Sequence, residues 1–168
     1  MTGTWHGDGD KGAVFVYAYD SLFNSWHLVS TIFNNDGDQF FGNRVRLTYD
    51  KELLFKSGYF ARDVGTVYYY KKQKIGNEYV LKQSIEFGNG VGSISVNGNT
   101  MAVTEWKDYI SMGVHFLVRR NDVWEEVAIF DGHSDDYFGY MVCLFENKAL
   151  ISTHTNVYLV EDLFQFLM

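Results

Sequence analysis

Three sets of residues recur along the chain at nearly constant spacing, and this recurrence limits the fold more than any other feature. The first set is a glycine that follows an acidic or Asn turn and leads into an alternating run. It stands at Gly42, Gly92 and Gly139, 50 and 47 residues apart. The second is a Gly or Asn that opens a run of alternating aromatic and aliphatic residues, at Gly12, Gly65, Gly113 and Asn156, with spacings of 53, 48 and 43. The third is an aromatic residue opening another alternating run, at Trp26, Tyr79, Trp124 and Phe164, with spacings of 53, 45 and 40. Periods of this size mean that one supersecondary unit is copied along the chain and buries its apolar face against the next copy.

Each full unit reads as four short strands. In the second they are "GNRVRLTY", "KELLFKS", "GTVYYYKK" and "EYVLKQSI"; in the third, "GSISVNG", "TMAVTEW", "GVHFLVRR" and "VWEEVAIF". The apolar period is two, aromatic and β-branched residues dominate, and no segment sustains a helical period. The turns agree: Asn97 to Asn99, Asp50, and Glu146 to Lys148 are compact hairpin connections, and with no proline in the chain Gly, Asn and Asp make the turns. The reading is an all-β protein, a β-propeller of four-stranded antiparallel blades, in one domain spanning residues 1–168. The first unit (1–34) shows only its last two strands, and full blades follow over 35–87, 88–131 and 132–168, so the chain holds fourteen strands, about three and a half blades. An open stack of this kind exposes apolar faces and unpaired edges. The expected partners are therefore a protein, or other copies of the chain, that complete the ring.

Composition narrows the function classes. Apolar residues make up 46% of the chain and aromatics 18%, enough for a sizeable core. The net charge of −7, with no basic run, excludes a nucleic-acid footprint, and the apolar runs are too short to span a bilayer. The amino-terminal stretch lacks the basic and apolar regions of a secretory signal. The single cysteine, Cys143, sits inside "YMVCLF" and is expected to be a buried thiol.

Phe41-Gly42 and Phe138-Gly139, with Asp38 and Asp135 or Asp136 just before them, and the "GAVFVY" and "GTVY" runs from Gly12 and Gly65, resemble the FG-GAP repeat family, which builds integrin alpha-chain β-propellers. The third unit departs from it with Val91-Gly92, and Lys56-Ser57-Gly58 and Thr104-Glu105-Trp106 stand where the family has its Gly-Ala-Pro. Calcium-binding members hold the ion in an acidic loop between the first and second strands. Here those loops, "TYDKE", "NGNT" and "FENKA", are too short and too poor in oxygen ligands, so no cofactor or metal is expected. The resemblance implies a protein-interaction or adhesion module in an extracellular or cell-surface setting.

In such a blade the second-to-third and fourth-to-first loops share one end. That end would collect Trp5, Tyr59, Phe60, Arg62, Trp106, Lys107, Asp108, Tyr109, His133 and Asp135, residue types that make interface hot spots, as the expected partner-binding face. Some of these aromatics could instead fold back as plugs over the blade tops. Phe41 and Phe138 are assigned to packing between blades. The five histidines have no metal-ligand spacing, and no nucleophile elbow or phosphate loop is present, so a non-catalytic binding module is expected. A carbohydrate-binding, lectin-type propeller is the alternative, since Trp and Tyr beside Asp and Asn suit sugar rings. The loops share little from unit to unit, which favours a protein surface.

Overall fold

The structure, a computed structural model, describes residues 2–4, 12–33, 40–57, 64–107, 110–131 and 137–163. Among them every regular element is a strand. The first sheet is β1 (Thr2–Thr4), β2 (Ala13–Asp20) and β3 (Ser25–Phe33). The second is β4 (Arg44–Leu47), β5 (Leu53–Lys56), β6 (Gly65–Lys72) and β7 (Tyr79–Phe87). The third is β8 (Gly90–Asn97), β9 (Thr100–Lys107), β10 (Ile110–Arg120) and β11 (Val123–Phe130). The fourth is β12 (Met141–Phe145), β13 (Lys148–Ser152) and β14 (Val157–Val160). All four are antiparallel meanders in chain order.

The expected strand distribution is corrected at the start of the chain. Thr2–Thr4 pairs with β2, in register Thr4 to Ala13, so the first unit has three strands rather than two. Three residues without alternation give no periodic signal to read. The strand expected from Phe164 lies outside the described residues.

The repeat is visible in the backbone. Each third-to-fourth strand pair carries one bulge, and the extra residue is Val29 in β3, Lys82 in β7 and Val127 in β11, 53 and 45 residues apart. The glycine turn also recurs. Phe40 and Tyr137 have φ of 60° and 52°, and Gly42 and Gly139 have φ of 79° and 80°. The amides of Asn43 and Tyr140 bond back to Phe40 and Tyr137, while those of Gly42 and Gly139 reach the second-strand carbonyls of Lys56 and Ser152. In the third unit the turn is replaced by a bulge in β8 between Val91 and Ile94, where the Ser93 amide bonds Thr104 Oγ1 at 2.7 Å. Gly92 is needed there for closeness: a Cβ would lie 2.6 Å from Thr104 Oγ1 and 2.8 Å from the Trp106 ring.

The sheets stack face to face in sequence order. Val14, Val16 and Ile32 of the first sheet meet Leu53, Phe55 and Tyr68 of the second, with Phe41 between them. Leu54, Val67 and Tyr69, on the opposite face of the second sheet, meet Ile94, Met101, Val103 and Leu117 of the third. Ala102, Val114 and Phe116 then meet Val142, Leu144, Ala149 and Ile151 of the fourth. Alternation along one strand thus supplies both neighbours, and this is why β5 and most of β9 are buried on both faces. Tyr68, Tyr69, Tyr70 and Phe116 of the third strands pack between sheets as expected, whereas Tyr17 and Tyr19 of β2 are exposed on the outward face of the first sheet. Phe41 is buried and Phe138 partly buried against the core.

The edge strands β8 and β12 are protected by side chains from the neighbouring sheet. Arg46 Nε bonds the carbonyl of Ile94 at 2.8 Å, and Lys56 Nζ bonds that of Val91. On the other side of β8, Ser95 Oγ accepts the Leu144 amide at 2.9 Å and Ser93 Oγ that of Val142 at 3.4 Å.

Candidate functional site

The antiparallel order separates two ends of the stack. At the end formed by the second-to-third and fourth-to-first loops, four aromatic side chains link the third and fourth sheets. Trp106, at the end of β9, stacks on Tyr137 with centroids 5.9 Å apart; Tyr137 stacks on His154 at 4.2 Å, and Tyr140 meets His154 edge-on at 5.7 Å. Trp106 is fully buried, which corrects its assignment to an exposed binding face. β9 continues through it, so its indole lies over Gly92 and under Tyr137 as a plug. Lys107, the next residue, is exposed at this end. Trp5, Tyr59, Phe60, Arg62, Asp108, Tyr109, His133 and Asp135 lie outside the described residues, so of the ten expected residues the structure gives the surroundings of two.

Beneath the same end sits a polar cluster that spacing did not reveal. His115 is buried, with Nε2 2.9 Å from Glu105 and Nδ1 2.5 Å from Glu126, and its ring meets Phe87 edge-on. Glu105 also accepts both the amide and the side-chain N–H of Asn89. Glu105, His115 and Glu126 come from β9, β10 and β11 and meet only through cross-strand register.

The opposite end gathers the tight turns. A groove of about 550 Å³ lies between the second and third sheets, lined by Asp50, Glu52, Lys71, Asn99, Arg119, Asn121 and Asp122. Its charges are mutually satisfied. Arg119 bonds Glu52 and Asn99 and lies over the Trp124 ring, 5.6 Å from its centroid, and Lys71 bridges Asp122 at 2.6 Å and Glu52 at 3.5 Å. The hydrogen bond from Lys71 holds the Asp122 carboxyl below its ordinary value. Burial, with the charges of Asp122 and Asp50 behind it, pushes the Tyr69 hydroxyl up to about 12, so it stays protonated and accepts from Arg119 at 3.3 Å. Among the described residues no aromatic ring lines this groove.

No family model matches the chain. A search of curated proteins also returns no match.

Two surfaces remain, the outward faces of the first and fourth sheets. On the fourth, Cys143, Leu150 and Leu159 form one cross-strand row, and Met141, Ser152 and Val157 another, with Phe145 beside them. Phe145 is 68% exposed, Val157 67% and Met141 59%. Cys143 is exposed as well, which corrects its expected burial: Val142 and Leu144 point into the stack and the cysteine between them points out. On the first sheet, Tyr17 pairs with Leu28 and Tyr19 with Trp26, all exposed, and the Tyr19 and Trp26 rings lie 5.3 Å apart.

Proposed function

We propose that the chain is a non-catalytic protein-interaction module of the β-propeller type, with FG-GAP-like units, which associates through the two outward faces of its sheet stack. The observation that carries this reading is the apolar outward face of the fourth sheet. A contiguous row of Met, Cys, Leu, Val and Phe in water is the signature of a surface that another protein covers.

Chemistry points to the occupant. Every junction inside the chain joins one face of a sheet, the one that carries Val14, Leu54 or Ala102, to the opposite face of the next sheet, and Leu150 lies on the corresponding face of the fourth. The fourth sheet presents the first kind of face and the first sheet presents the second kind, through Tyr17, Tyr19, Trp26 and Leu28. They are the two halves of a junction made three times within the molecule. A further sheet of the same kind fits, and in the purified chain a second copy supplies it, head to tail.

The test is light scattering coupled to size exclusion across a range of concentrations, with the rate of Cys143 modification by a thiol reagent followed in parallel. Mass that rises with concentration while modification slows supports the reading. A constant monomer mass overturns it, and so does association that leaves the Cys143 rate unchanged, because the contact would then lie elsewhere.

A further inference from the structure

A pocket of about 200 Å³ opens where the inner ends of the second, third and fourth sheets converge. It is lined by Arg44, Arg46, Gly92, Ser93, Tyr140 and Met141. Arg44 and Arg46 are two apart on β4 and so lie on one face of it, the face of their cross-strand partners Lys56 and Leu54, which looks toward the third sheet. Behind them, Lys56 reaches the carbonyl of Val91, the residue preceding Gly92.

This concentration of positive charge is out of character with its setting. The chain is net negative by seven charges, yet among the described residues no carboxylate lines the pocket. Among the described residues Lys71, Arg119, Arg120 and Lys148 each form an ion pair, whereas Arg44 and Arg46 form none. Arg46 commits Nε to Ile94 and one N–H of Nη1 to Val45, which leaves the rest of its guanidinium fork available. Arg44 is exposed, and its charge bears on Lys56, whose ammonium is pulled down to about 8 by burial first and by Arg44 second. Ser93 Oγ accepts the Val142 amide, which leaves its own O–H able to donate.

The lining is thus a set of donors from three sheets without a fixed counter-charge. Guanidinium forks and hydroxyl donors match an acceptor-only ligand with several oxygens. We propose that this pocket is an oxyanion site that takes a phosphate or sulfate group, either as the free ion or carried on a larger molecule. Arg44 supplies the unpaired charge, Arg46 a second fork held in place by Ile94, and Ser93 a neutral donor. The two arginines and Ser93 lie apart from the outward sheet faces, and of the lining residues only Met141 also belongs to one.

The experiment is a titration of the isotope-labelled chain with inorganic sulfate and inorganic phosphate at constant ionic strength, with chloride as the balancing ion, read by amide and guanidinium shifts. Saturable shifts at Gly92, Ser93 and the two arginines are expected. Arg44→Gln, which removes an exposed side chain without hydrogen-bond partners among the described residues, should weaken binding by about tenfold or more. Lys71→Gln, at the other end of the stack, should leave it unchanged. Glucose 6-phosphate and phosphoserine separate the sources: binding as tight as inorganic phosphate means that the pocket accepts a carried group, and binding of the inorganic ions alone means that it holds the free anion. Shifts that do not saturate, or an Arg44→Gln chain that binds like the parent, would overturn the proposal.

Discussion

Lys56 shows what one residue is made to carry. Its ammonium is almost fully buried at the end of β5, bonded to a carbonyl of the next sheet, and its pKa falls from 10.5 to about 8. Below about 8 the lysine is charged in folded and unfolded chains alike, and the folded state bears the whole cost of burying the charge. Between about 8 and 10.5 the folded state gives up its proton first, so this residue makes stability rise with pH, by up to about 3 kcal/mol. Denaturant unfolding at pH 7.5 and 10.5 checks this against Lys56→Met, in which the contribution disappears and only the background pH dependence of the chain remains. His115 is also fixed from both sides, with one ring nitrogen against Glu105 and the other against Glu126. His115→Leu leaves Glu105 and Glu126 facing each other without a donor between them, and a loss of about 2–3 kcal/mol is expected in the same unfolding assay.

Among the elements, the glycine turn that precedes β4 and β12 is the part most plainly written in the sequence. A left-handed residue, an aromatic and a left-handed glycine need letters that the eye can find, and Gly42 adds a second demand: a Cβ there would lie 2.9 Å from Val14 of the first sheet. Gly42→Ala should therefore lose about 2–3 kcal/mol, through both conformation and overlap. Gly76→Ala, at a φ of 86° with open space around it, should lose only about 1 kcal/mol through conformation alone, and thermal unfolding of the two variants separates the terms. Other elements left weaker marks. The run from Tyr140 to Phe145 is apolar at every position, so alternation could not say which phase faces inward, and Cys143 fell on the outer one. Trp106 follows strict alternation to the end of β9, yet its place under Tyr137 depends on how the fourth sheet leans on the third. The two arginines of β4 were legible as neighbours on one face. Their pocket was not, because Gly92 and Tyr140 join it only through stacking of sheets distant in sequence.

At the scale of the whole molecule, each sheet packs against its predecessor and its successor, and the core is divided among three such junctions. Stability in such an array is a sum of units and neighbour terms. The periodicity made the units and their order legible, but the sequence alone did not show which side chains meet across each junction. On the outward face of the fourth sheet a charge should be harmless to folding and harmful to assembly. Leu150→Lys, at a position 47% exposed, is expected to keep the parent's unfolding midpoint within about 0.5 kcal/mol while abolishing any rise of mass with concentration in light scattering. The junctions themselves differ in polarity: between the second and third sheets cations of one reach carbonyls of the other, whereas between the third and fourth serine oxygens receive amide protons. These couplings are keyed, like connectors of opposite gender. Although the units look interchangeable by spacing, a chain with its second and third units transposed would bring the cations of the second unit to the amide edge of β12, so the order of the copies is itself encoded.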